Sequence, residues 1–488
     1  MSSLPSSPGG AHPPRSGAVI GVLAFAGIVV SVMQSLVVPL IPKLPSLLHT
    51  SASDASWVIT ATLLAGAVAT PVLGRLGDMV GKRRMLLVSL TVLVAGSVIC
   101  GLSSSLAPMI VGRALQGLSV GVIPLGISIM RDELPQERLG SAMALMSSSL
   151  GVGGALGLPG AAVIAQHANW HVLFWTSAGL GALVVVGVLT LVPESQVRSG
   201  GRFDVMGAVA LSAGLLCLLL AISKGADWGW SGGLTIGLFA AAVVILALWG
   251  WWELRVTRPL VDLRTTAHRQ VLLTNVASVV AGFAMFAMSL VLTQLLQMPK
   301  ATGYGLGQTM LAAGLCFVPS GLVMMAVSPL SARISRLWGP KVSLMAGAAV
   351  IALGYGVGVL FMDAVWQLIV VGAVIGAGVG LAYGAMPALI MGAVPLSETA
   401  SANGLNSLMR SVGISISSAV VGVVLAHMTT RFGTLALPSE AGFRTAMAIG
   451  GVAALVAVLV AGLIPGRGRA RLADPPAGLA DEVGQSVH

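Results

Sequence analysis

Long apolar runs recur along this chain, each roughly 18 to 25 residues and each ended by charges or by Gly/Pro clusters; about fourteen can be counted. Backbone polar groups buried in hydrocarbon must be satisfied within their own segment, so each run reads as a membrane-spanning helix. The spans begin near Gly17, Trp57, Met85, Leu106, Leu139 and Val172, then Val205 and Leu234, then Val271, Gln308, Val342, Val365, Ala402 and Gly442. An even number of spans puts both ends of the chain on one face of the bilayer.

With 56% hydrophobic and 9% charged residues over 488 positions, the chain cannot cover an ordinary water-exposed surface. Its net charge of +10 is spread over short loops and not gathered in a basic domain. That excludes nucleic acid as the partner and points to topology. With a cytoplasmic N-terminus, Arg75, Lys82, Arg83, Arg84, Arg131, Arg138, Arg198, Arg202 and most other basic residues fall inside. Lys43, Lys224, Lys300, Arg431 and Arg444 remain outside. This positive-inside bias predicts a multi-pass protein of the cell membrane with both termini cytoplasmic. Residues Met1 to Gly17 run into an apolar stretch too long for a signal-peptide core, so the first span is expected to be retained.

The expected fold is an all-α integral membrane protein of two six-helix bundles joined by a two-helix insert. Residues 1–16 read as a disordered tail, 17–193 as the first bundle, 194–269 as the insert with its linkers, 270–465 as the second bundle, and 466–488 as a second disordered tail. A weak internal repeat supports the doubling. Gly117-x-x-x-Gly121 followed by Pro124 in the fourth span is matched by Gly376-x-x-x-Gly380 followed by Pro387 in the twelfth. Such repeats are typical of transporters that rock around a central site.

Cys100, Cys217 and Cys316 lie far apart in apolar runs without metal-ligand spacing. No carboxylate pair, His/Cys cluster or nucleophile with a nearby base stands out, so no enzyme activity, cofactor or metal is expected. The residues that stand out are charged or polar within or beside apolar runs. Gly74-Arg-Leu-Gly-Asp-Met-Val-Gly-Lys-Arg-Arg84 packs Asp78, Lys82 and Arg83 between Gly74, Gly77 and Gly81, a tight turn between two membrane helices. Arg113 lies about seven residues into the fourth span, and an intramembrane cation is by default a functional residue. In the thirteenth span Asn403 and Asn406, one turn before Arg410, share a face that lines a pore or bonds between helices. Gln34 in the first span and Gln294 and Gln297 in the ninth carry the same two readings. Met285 and Met288 suit either core packing or an adaptable apolar cavity.

These residues resemble the major facilitator superfamily, and more closely its fourteen-span drug:proton antiporter branch. The loop motif G-x-L-x-D-x-x-G-[RK]-[RK] is matched at Gly74, Leu76, Asp78, Gly81, Lys82 and Arg83. Arg113-x-x-Gln116-Gly117 is similar to the fourth-span motif of proton-coupled members, and Trp57-Val58 to the start of their second span. Asp204-Val-Met-Gly207, Gly225-Ala-Asp-Trp-Gly-Trp230 and Asn403 to Gly413 resemble segments of the fourteen-span branch. Two departures are visible. Met33 stands where that branch usually carries a membrane-embedded Asp, and Gly157-Leu-Pro-Gly-Ala-Ala162 displaces the Pro of the fifth-span antiporter motif and replaces its final glycines.

The resemblance implies a cytoplasmic gate at Gly74, Asp78, Gly81, Lys82 and Arg83, and a proton-coupling or conformational role for Arg113, Gln116 and Gly117. It implies a part in limiting leak for Gly153, Gly157 and Pro159. Met33, Gln34, Gln294, Gln297, Asn403, Asn406 and Arg410 are the candidate substrate-cavity residues. The function expected is secondary active export of amphipathic small molecules, drugs or secondary metabolites, by alternating access and proton antiport. The deep charges are basic, which favours neutral or anionic substrates. An importer or facilitator of a small metabolite with the same fold is the alternative. A polytopic sensor or enzyme finds no supporting residues, and nothing in the sequence fixes an oligomeric state.

Overall fold

The computed structural model describes residues 14–37, 40, 44–195, 197–257, 259–432 and 435–465. Most of the expected N-terminal tail and all of the C-terminal tail lie outside the described residues; the first helix already begins at Pro14. Fourteen helices among the described residues are long and apolar enough to cross a membrane. The first half holds α1 (Pro14–Ser35), α2 (Trp57–Val80), α3 (Lys82–Leu102), α4 (Leu106–Glu133), α5 (Gln136–His167) and α6 (His171–Leu191). The insert is α7 (Val205–Trp228) and α8 (Gly233–Glu253). The second half holds α9 (Arg269–Gln297), α10 (Met310–Leu337), α11 (Pro340–Leu360), α12 (Val365–Met391), α13 (Thr399–His427) and α14 (Glu440–Gly462).

The helices start within a few residues of the apolar boundaries, and usually before them. Polar residues outside the hydrocarbon satisfy the first free N–H groups, so a helix outruns its apolar stretch. Asp204 caps α7 by accepting from Gly207 N at 2.8 Å, and Ser439 caps α14 through Gly442 N.

The repeat hinted at in the sequence is present in the packing. In the first half α1 packs on α5, α2 on α4 and α3 on α6; in the second, α9 packs on α13, α10 on α12 and α11 on α14. Gly81, between α2 and α3, and Gly339, between α10 and α11, both adopt positive φ, 133° and 91°. Only glycine takes that conformation without strain, which explains its place in both copies of the loop. The halves meet along two seams, α2 against α13 and α5 against α10.

The insert is not a passive linker. Leu211 and Leu215 of α7 share one buried cluster with Leu64 and Ala67 of α2 and Leu405 and Leu408 of α13, so α7 lies along the first seam. On the other side α8 presents Leu234, Ile236, Val243, Val244 and Leu248 outward, a surface suited to lipid and not to water. A two-stranded antiparallel hairpin, β1 (Thr429–Phe432) and β2 (Leu435–Pro438), joins α13 to α14, which the apolar pattern did not announce. The Tyr304 hydroxyl donates to Pro438 O at 2.5 Å and ties it to the α9–α10 loop.

Candidate functional site

The α2–α3 and α4–α5 turns share one face of the bundle, here termed the basic face. Asp78, in the last turn of α2, is fully buried there. Its Oδ1 accepts from Ala400 N at 3.1 Å and its Oδ2 from Ser401 N at 2.8 Å, both in the first turn of α13. The free amides and positive dipole end of a helix suit a carboxylate. Lys82, also buried, stands 3.9 Å from Asp78 and donates to Asp132 Oδ2 at 2.5 Å. Asp132 also accepts from the Ser195 hydroxyl. The result is an acid–base–acid row that spans α2, α3 and α4 and ends on the other half of the protein.

The contact needs close backbones. A Cβ on Gly74 would lie 2.6 Å from Ala400 O, so any larger residue would push α2 off α13. Gly81 turns the chain against Glu194, to which Arg83 N donates at 3.3 Å, while Arg83 Nη2 donates to Leu189 O. Arg131 adds a second contact between the halves: Nη1 donates to Thr399 Oγ1 at 2.5 Å, and Nη2 to Met391 O, at the end of α12, and to Val394 O just beyond it. Within the second loop copy, Ser335 offers no acid. Among the described residues its hydroxyl has no partner, while Ser331 bonds to Ser343 and Leu381 O.

Arg113 is 2% exposed, far from these groups. Its Nε donates to Val58 O at 3.2 Å, and its Nη1 to Gln116 Oε1 at 2.7 Å and Met33 O at 3.4 Å. The guanidinium thereby ties α4 to α1 and α2 through carbonyl and amide oxygens, and among the described residues no carboxylate lies within ion-pair distance of it. Gln116 passes the bond on to Ser97 Oγ at 2.8 Å, and Gly117 lets α4 touch the Thr62 carbonyl of α2.

A cavity of about 160 Å³ lies between the halves. Met285, Met288, Ser289 and Thr293 of α9, Phe317, Ser320 and Met324 of α10, and Gly151, Gly154 and Leu158 of α5 line it, with Ser35 at the end of α1. These positions put it toward the face opposite Asp78. Small-molecule pockets usually measure roughly 300–1,000 Å³, so this one is contracted. Its lining carries no charged side chain; hydroxyls and thioethers are its polar groups, among apolar side chains such as Leu158 and Phe317. A larger groove of about 580 Å³, bounded by Val68, Val88, Phe203 and Val209, opens sideways between α2, α3 and α7. Val88 and Val209 there are exposed at the bilayer-facing surface, so lipid chains are its natural contents.

None of the candidate cavity residues lines the central cavity; Met285 and Met288 do. Met33 is buried against Arg113. Asn403 donates to Thr399 O within its own helix, and Asn406 to Asn275 Oδ1 and Ser278 Oγ of α9, so both serve helix contacts. Gln294 is exposed, Gln297 bonds to Thr293 O, and Gln34 is half-buried. Arg410 stacks over Tyr383, 4.8 Å from its ring. Of the fifth-span glycines, Gly153 packs against α1, where a Cβ would sit 2.7 Å from Ile28 O, and Gly157 lies against Ser35 and Val32 O. Pro159 meets Gly314 of α10. Asp132 and Arg131 are not marked by any motif; the only signal they carry in the sequence is that of an acid and a base ending a span on the same face as Lys82.

The family model described as Major Facilitator Superfamily matches residues 23–418. The chain is 30% identical over 483 residues to the tetracenomycin C resistance and export protein of Streptomyces glaucescens, covering 94% of this chain and 87% of that one. The chain belongs to the Major Facilitator Superfamily. This member of the superfamily is also 28% identical over 373 residues to multidrug resistance protein Stp of Mycobacterium tuberculosis, 76% of this chain and 68% of that one. It is 26% identical over 425 residues to the probable actinorhodin transporter of Streptomyces coelicolor, 84% and 72% of the two chains. Among solved structures it matches the human organic anion transporter MFSD10 (TETRAN), with a TM-score of 0.66 at 15% identity over 92% of this chain and all of that one. The fourteen-helix doubled fold is that of a membrane transporter.

Proposed function

We propose that the protein exports amphipathic small molecules, neutral or anionic, across the cell membrane by alternating access coupled to proton antiport. Both termini lie in the cytoplasm, following the charge bias of the loops. The observation that carries the reading is the pairing of a latched basic face with an uncharged cavity between the halves on the other side. That pairing fits a resting state sealed toward the cytoplasm. Asp78, Lys82 and Asp132 form the cytoplasmic gate together with Arg131, and opening it means withdrawing Asp78 from the first turn of α13. Arg113 holds α1, α2 and α4 together as one moving body. The named export and resistance functions of the relatives agree with this direction.

The test uses membrane vesicles of defined orientation and three probes with one ring system: 1-pyrenebutyrate, its neutral amide and 1-pyrenebutylamine. Inverted vesicles with an acidified lumen are expected to accumulate the acid or the amide, and to release it when the pH gradient is dissipated. Uptake confined to right-side-out vesicles would reverse the direction, and uptake indifferent to the gradient would remove proton coupling.

A further inference from the structure

The two deep guanidiniums are held in different ways. Arg113 gives its Nε and Nη1 donors to carbonyl and amide oxygens of three helices. Arg410 lies on α13, about 16 Å along the helix from its start at the basic face by the usual rise per residue. Its Nη2 donates to Ser407 Oγ at 2.9 Å, one turn back on the same helix. Among the described residues it makes no other hydrogen bond, and no carboxylate lies within ion-pair distance of it. The residue nevertheless remains partly accessible. Its position is fixed by close contact with the α9 backbone at Gly282 and by the Tyr383 ring at 4.8 Å. A guanidinium offers five N–H donors, and a cation at membrane depth without a counter-charge is costly.

Tyr383 connects this group to the cavity. Its hydroxyl donates to Met285 Sδ at 3.6 Å, and Met285 is part of the cavity wall. A thioether is a weak acceptor on a flexible side chain, so it yields readily to a better one. We propose that Arg410, with Tyr383 and Ser407, is an anion-binding subsite beneath Met285, and that the substrates include amphiphiles carrying a carboxylate or a comparable monoanion. An arriving carboxylate replaces Met285 as the acceptor of the Tyr383 hydroxyl and takes the spare N–H groups of Arg410, while its apolar body stays among Met285, Met288 and Phe317. The inference rests on the transporter reading of the cavity and adds its charge selectivity.

The experiment is equilibrium binding of tritiated 1-pyrenebutyrate to the purified full-length protein, with the unlabelled amide and amine as competitors. The wild type is expected to bind the acid at least ten-fold more tightly than the amide. Arg410→Gln is expected to abolish that preference while holding amide affinity within two-fold, Arg410→Lys to keep most of it, and Tyr383→Phe to lower acid affinity several-fold. Equal affinity of the wild type for acid and amide, or a preference for the amine, overturns the inference without needing any variant. So does an unchanged acid preference in a folded Arg410→Gln protein. Failure of all three probes to bind removes the cavity reading itself, and the subsite with it.

Discussion

The Asp78 carboxylate accepts the backbone amide of Ser401 at 2.8 Å, across 323 positions of sequence and from one half of the bundle to the other. A second bond, from Ala400 N, makes the contact two-pronged. Hydrogen bonds to a charged group are worth about 1.5–3 kcal/mol each. Asp78→Asn keeps one acceptor oxygen and removes the charge. Transport in proteoliposomes is expected to fall about ten-fold or more, with expression and membrane insertion unchanged, because Lys82 keeps Asp132 as its partner. Wild-type rates in this variant would detach Asp78 from the gate.

Two neighbouring glycines separate packing from cavity. A Cβ on Gly153 runs into α1 at Ser31 and Ile28 O, whereas one on Gly154 meets nothing within 4 Å and points to the cavity. Gly153→Leu is expected to lower the melting temperature by several degrees. Gly154→Leu is expected to leave it near wild type and to block transport by filling the space. Equal effects of the two would show that the cavity is misplaced.

Arg113 depends on the fork of its guanidinium to reach Val58 O, Met33 O and Gln116 Oε1 together. A lysine carries the charge without that geometry. Arg113→Lys is therefore expected to behave like Arg113→Gln, with both thermal stability and transport reduced. Full rescue by lysine would mean that charge alone matters there.

Lys224 is buried at the opposite end of α7, 3.1 Å from Asp227 and 5.2 Å from the centre of the Trp57 ring, and it also bonds to Ser56. It pins the insert to the start of α2. Lys224→Met is expected to loosen α7, read as faster amide hydrogen exchange in Val205–Trp228 than in α5. Unchanged exchange would leave the insert held by Leu211 and Leu215 alone.

The fourteen spans and the charged α2–α3 turn were legible in the sequence because both are local: a run of about twenty apolar residues, and a glycine-spaced charged turn. The partners were not. Nothing near Asp78 in sequence points to Ala400 and Ser401, and Asp132 reads as one more loop acid until α4 brings it to Lys82. The cavity was obscured for a different reason. Lipid is as apolar as a helix interface, so a membrane helix carries little contrast between its buried and outer faces. Gly153 and Gly154, or Met285 and Gln294, cannot then be assigned to a side by pattern. Arg410 was visible as a deep charge, but only its neighbours distinguish it from Arg113, which bonds to three helices where Arg410 bonds within its own.

The most direct test of the latched gate is the distance between spin labels at Arg84 and Arg336, one on each half at the basic face, in full-length protein in lipid nanodiscs with Cys100, Cys217 and Cys316 replaced by serine. Both positions are exposed. The wild type is expected to show mainly the short distance of the closed face, and Asp78→Asn to shift population to a longer one. Identical distributions in the two proteins would contradict the account.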